Sequence, residues 1–221
     1  MKKIVVVVTL FLTSYLQAQV TKNLGDFDSI KVFDKLTVKL VPSNENKVSI
    51  TGTRAEEVEV INKNGEVKLR MPFPKLLAGN DIKIQLYFKR IESIDASEGS
   101  YVSSDLPFKQ TVLSVNAKEG AQIKVEFDTE KATIRAVSGG ILDLTGKTNS
   151  QTITIASGGV LEAMDLISSQ TTVNVSAGGK AEIHATTLVD AKVKAGGSIY
   201  IYGKPKQINQ EIILGGTIIE K

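Results

Sequence analysis

A doublet of small residues, led by glycine, recurs along the chain: Gly99-Ser100, Gly120-Ala121, Gly139-Gly140, Gly158-Gly159, Gly178-Gly179, Gly196-Gly197 and Gly215-Gly216. The spacings are 21, 19, 19, 20, 18 and 19 residues. A period this constant means that one supersecondary unit is stacked on copies of itself. Around each doublet the sequence alternates. Three residues before the first glycine stand Ala96, Ala117, Ala136, Ile155, Val175, Val193 and Ile212. Three residues after it stand Val102, Ile123, Leu142, Leu161, Ala181, Ile199 and Ile218. The residues between are mostly Ser, Thr, Lys, Asp, Glu or Asn. Period-two alternation on both sides of a glycine corner marks two strands, each burying one face.

A single coil of this kind cannot bury its apolar face alone, so neighbours must stack to make a core. The sequence therefore predicts an all-β chain. Its second half is a right-handed parallel β-helix of about six coils, each 18–21 residues long, since parallel crossovers favour the right hand. At an inter-strand distance of roughly 4.8 Å, such a rod is roughly 30 Å long. The rival topology is an antiparallel meander. Leucine-rich and propeller repeats fail on signature or period.

The expected organisation is a leader over residues 1–18, an N-terminal β region over 19–92 and β-helix repeats over 93–221. Lys2 and Lys3 precede the apolar run Ile4–Leu12, and Leu16 and Ala18 fit a cleavage site after Ala18. The run is too short to cross a bilayer, and no second one follows it. The alternative is an uncleaved anchor. Residues 24–92 alternate too, but out of register with the glycine repeat. Val58–Ile61, Asn64-Gly65 and Val67–Met71 read as a hairpin. Met71–Gly79 reads as a loop whose apolar side chains are either folded over an edge or exposed as a contact. The N-terminal region is expected to cap one end of the solenoid. The C-terminal edge would stay open, so a homo-oligomer formed through it is one alternative.

These features resemble the auto-transporter adhesin, head GIN domain family. The matching residues are Phe27–Val32, Ile94–Ser100, the corners Ser138-Gly139-Gly140 and Ser157-Gly158-Gly159, and Gly215–Ile218. The resemblance implies an exported β-solenoid with an adhesive role, and it transfers no catalytic residues. Many relatives are lipoproteins. This chain has no Cys, which excludes a lipid-anchored cysteine, a disulfide and a thiol nucleophile. The expected location is the periplasm, the outer-membrane surface or the extracellular space. A formal charge of +3 gives no strong attraction to nucleic acid.

The candidate site is an outward column four residues after each first glycine: Ser103, Lys124, Asp143, Glu162, Glu182 and Tyr200. Two residues further stand Asp105, Glu126, Thr145, Met164, His184 and Tyr202. Asp143, Glu162, Glu182, His184, Tyr200 and Tyr202 would then share one patch. Stacked carboxylates repel, which raises a pKa or recruits a cation such as calcium. No other cofactor is expected. Carboxylates beside tyrosines suit a sugar, and the plain alternative is a solvated polar face. Three functions follow from this reading. The first is a non-enzymatic binding scaffold for a glycan or a cell-surface protein. The second is a polysaccharide-active enzyme using the stacked carboxylates. The third is an envelope component assembling through its C-terminal edge.

Overall fold

The computed structural model describes residues 19–221, so the expected leader lies outside the described residues. The first half holds β1 (Gln19–Asn23), β2 (Ser29–Val32), β3 (Thr37–Pro42), β4 (Lys47–Thr51), β5 (Glu59–Lys63), β6 (Glu66–Arg70) and β7 (Lys83–Phe88). The second half holds β8 (Ser93–Ala96), β9 (Tyr101–Ser104), β10 (Phe108–Lys118), β11 (Gln122–Val137), β12 (Ile141–Ala156), β13 (Val160–Ser176), β14 (Lys180–Lys194), β15 (Ser198–Tyr202), β16 (Gln207–Ile213) and β17 (Thr217–Glu220). They wind into a β-solenoid of about seven turns, one more than expected.

Pairing is parallel from coil to coil, and the alternating residues stack in columns. On the face before the corners, Val67, Ile30, Ile94, Val115, Ile134, Ile153, Val173 and Ala191 follow one another in register. On the face after them, Ile84, Val38, Val102, Ile123, Leu142, Leu161, Ala181 and Ile199 do the same. Every one of these side chains is buried. The two columns meet as one continuous core, which is why β-branched and leucine side chains dominate them.

The first five glycine corners are tight turns of one type. At Val137–Gly140 the two central residues, Ser138 and Gly139, have φ of 50° and 74°. The Gly140 N–H donates to the Val137 carbonyl at 2.9 Å. Positive φ at both central positions is the type I′ pattern. A second bond ties each corner to the next: Gly120 N–H to Ser138 O at 3.2 Å, Gly139 N–H to Ser157 O at 3.1 Å. Opposite the glycine corners the long strands bend without breaking. Polar side chains line this bend and hydrogen-bond from coil to coil, although the buried Gln151 Oε1 has no partner. Thr129 donates to Thr148 at 3.1 Å, and the Gln151 amide donates to Thr171 at 2.9 Å.

The first half departs from the expectation that residues 24–92 lie out of register. β2 stacks on β8 with Ile30 opposite Ile94, and β3 stacks on β9 with Val38 opposite Val102. Their corner, Phe33–Leu36, has the same conformation at Asp34 (φ 59°) and Lys35 (φ 60°), with no glycine. β6 and β7 add one more parallel layer outside β2 and β3. Beyond that layer pairing turns antiparallel. β5 lies on β6, β4 on β7, and β1 on β4. These strands form the expected cap. The expected hairpin is present as β5 and β6, joined at Asn64 (φ 54°) and Gly65 (φ 79°).

The Met71–Gly79 loop resolves the two alternatives residue by residue. Met71 is buried, whereas Phe73 is 86 % exposed and Leu76 and Leu77 are about half exposed. The buried Asp34 carboxylate holds the loop, accepting from the Met71 N–H and the Leu77 N–H at 2.9 Å each.

Candidate functional site

The candidate site lies on the outer surface of the strands that follow the glycine corners. Parallel pairing places Ser103, Lys124, Asp143, Glu162, Glu182 and Tyr200 in one unbroken column, as the repeat predicts. From Lys124 to Tyr200 the inward neighbours on either side of each residue are buried, which forces these side chains outward. Beside it runs a second outward column, Tyr101, Gln122, Ile141, Val160, Lys180 and Ser198. Tyr87, Tyr101, Tyr200 and Tyr202 all sit at outward positions of this face and are half-buried. They are the only tyrosines among the described residues.

Charge along the column is largely compensated. Lys124 Nζ lies 2.5 Å from Asp143 Oδ2, and Lys180 Nζ lies 2.7 Å from Glu182 Oε1. The hydrogen bond to Asp143, followed by its charge, raises the Lys124 pKa above the ordinary lysine value. The hydrogen bond to Glu182 raises that of Lys180. Both ammonium groups therefore stay charged throughout the neutral range. Glu162 stands between the two ion pairs and is exposed. Over the Tyr200 ring stand two ammonium groups, Lys180 at 5.6 Å and Lys221 at 5.5 Å from its centroid. Contacts of this kind stabilise by about 0.5–1 kcal/mol at exposed sites.

The column two residues further along is interrupted. Glu126 pairs with Thr145, and His184 with Tyr202, as expected. Between them β13 carries a bulge, with register shifts after Asp143 on one side and between Ala163 and Ile167 on the other. His184 therefore pairs with Ile167. The bulge turns the Met164 carbonyl toward His184, whose Nδ1–H donates to it at 2.9 Å. It also presents Asp165, which no periodic reading could find. A cleft of about 180 Å³ opens at this point, lined by Asp143, Thr145, Glu162, Met164, Asp165 and Glu182. His184, Tyr200 and Tyr202 flank it. Among the described residues no three Asp, Glu or His side chains converge on a metal position. Lysine ammonium groups compensate two of the stacked carboxylates.

An exposed face of fixed side-chain spacing, beside a shallow polar cleft, is what this β-solenoid presents to solvent. Residues 26–205 match the model of the family described as putative auto-transporter adhesin, head GIN domain, and the chain belongs to that family. No curated protein is similar to it. Three solved structures share the fold. A putative adhesin from Bacteroides fragilis superposes with a TM-score of 0.86 at 18 % identity, covering 94 % of this chain and 98 % of that one. A putative adhesin from Parabacteroides merdae gives 0.72 at 18 % identity, covering 92 % and 95 %. A protein from Parabacteroides distasonis called a putative lipid binding protein gives 0.69 at 15 % identity, covering 92 % and 96 %. Family and neighbours are thus described as adhesins or binding proteins, not as enzymes. No helix among the described residues is long and apolar enough to cross a membrane.

Proposed function

We propose that the protein is an exported adhesion scaffold, and that the face bearing Asp143, Glu162, Glu182, Tyr200 and Tyr202 binds an extended glycan. One observation carries this reading: every tyrosine among the described residues lies on the same outer face as the carboxylate column. Sugars present apolar C–H patches that pack on aromatic rings, and hydroxyls that donate to carboxylates. Rungs about 4.8 Å apart repeat along the rod, so a polymer lying across them meets similar groups more than once. The lysine pairs keep the face close to neutral, which suits an uncharged polymer better than an acidic one.

A ligand that binds only the folded state raises the melting temperature by mass action. The protein is expected to show such a shift with a neutral polysaccharide, with or without calcium. Tyr200→Ala and Glu162→Gln should abolish the shift while leaving the unliganded melting temperature nearly unchanged. A shift with lipid vesicles and none with any polysaccharide would refute the glycan reading. Turnover of the polysaccharide would instead favour the enzyme. Export rests on the residue 1–18 pattern, a basic start, a short apolar run and a small-residue cleavage site. The intact mass of the protein secreted by a native host should correspond to residues 19–221; an uncut chain would refute cleavage.

A further inference from the structure

The two ends of the rod are built differently. At the N-terminal end β5, β4 and β1 fold back antiparallel over the last parallel layer. Their exposed side chains are mainly polar, Gln19, Thr21, Lys22, Asn23, Asn62 and Lys63 among them. At the other end β16 and β17 each pair on one side only, with β14 and β15. Their other edges present free backbone groups. Ile212 is 48 % exposed, while Val193, its neighbour one layer inward, is fully buried. Leu214 is 81 % exposed at the corner.

The inward residues of β16 are Ile208, Gln210 and Ile212, in register with Val189, Ala191 and Val193. This pattern reads the same in both directions about Gln210. We propose that the C-terminal end docks a second copy of this chain, β16 pairing antiparallel with β16 of that copy about a two-fold axis at Gln210. Antiparallel pairing sets Ile208 opposite Ile212 of the second copy, and Ile212 opposite its Ile208. It sets the Gln210 amide opposite its own symmetry mate. An amide carries both donors and an acceptor, so two of them facing each other satisfy one another. Residues directly opposite share a face, so the apolar column of each rod runs on into the other. The outward neighbours Asn209 and Glu211 also fall opposite each other, as donor and acceptor.

Such an isologous contact closes on itself. The polar N-terminal cap offers no matching surface, so the contact yields a dimer and not a filament.

Light scattering on the protein, expressed in full and purified, should give twice the chain mass at high concentration and dissociate on dilution. Gln210→Lys places two like charges on the axis and should leave a monomer with the far-ultraviolet spectrum of the wild type and the melting temperature of dilute, dissociated wild type. Ile61→Lys, on the N-terminal cap, should leave the dimer intact. A wild-type protein that stays monomeric at every concentration overturns the proposal. So does an open-ended series of oligomers, loss of the dimer in Ile61→Lys, or a dimer that survives Gln210→Lys.

Discussion

At the Gly139-Gly140 corner a Cβ on the first glycine would meet nothing within 4 Å, whereas one on the second would stand 2.2 Å from the Ala117 carbonyl oxygen. The first is a conformational requirement, set by φ of 74°. The second is a steric one, set by how closely successive coils approach. Two substitutions of the same type should therefore differ in cost. Gly139→Ala should destabilise by about 1–2 kcal/mol, the cost of left-handed backbone. Gly140→Ala should cost about 3 kcal/mol, because backbone must move to admit a methyl group. Urea unfolding of both variants would check the order, and equal costs would contradict it. Left-handed φ also recurs at the residue before each first glycine, from Glu98 (55°) to Leu214 (57°). The sequence shows no preference there, because Glu, Ser, Ala and Leu all occupy it.

Glu98 combines that backbone with an unfavourable setting. Burial first, and then the neighbouring Asp34 carboxylate, raise its pKa above the ordinary carboxyl value. A carboxyl with a raised native pKa holds its proton more tightly when folded than when unfolded. Its stabilising contribution is full below the ordinary carboxyl value and is lost as pH rises through the raised one. Glu98→Gln should therefore raise the melting temperature at neutral pH and change it little in acid. A gain that does not depend on pH would point to another cause.

Among the strands, the repeat made β8 to β17 legible because both signals coincide there: glycine at the corner and alternation on either side. β2 and β3 form the same kind of coil, yet their corner is Asp34-Lys35, so a search keyed to glycine passes over it. The pairing of Ile30 with Ile94 then depends on contacts between residues far apart in sequence, which periodicity cannot supply. Ile30→Ala and Ile134→Ala should each cost about 3 kcal/mol, since both side chains are fully buried in one column. A cost well under that for Ile30→Ala alone would mean that the first layers do not share the core. The same limit applies to the site. Its first column was readable to the last residue, because every coil from Lys124 to Tyr200 keeps its count up to that position. The second was lost at the β13 bulge, where an inserted stretch reassigns His184 and adds Asp165.

Across the whole molecule the order of layers in space differs from their order along the chain. The β6 and β7 layer is synthesised after the β2 and β3 layer but lies outside it, and β8 and β9 flank it on the other side. The first coil to leave the ribosome is thus an interior layer of the finished rod. It can act as a template on both of its edges, and the chain supplies one edge first and the other afterwards. Solenoids assemble by nearest-neighbour addition, so assembly here is bidirectional from an early seed and not a steady winding from one terminus. A chain cut anywhere before residue 88 would leave that seed with neither edge fully covered, so no piece of the chain shorter than that holds the rod's central layer between two neighbours.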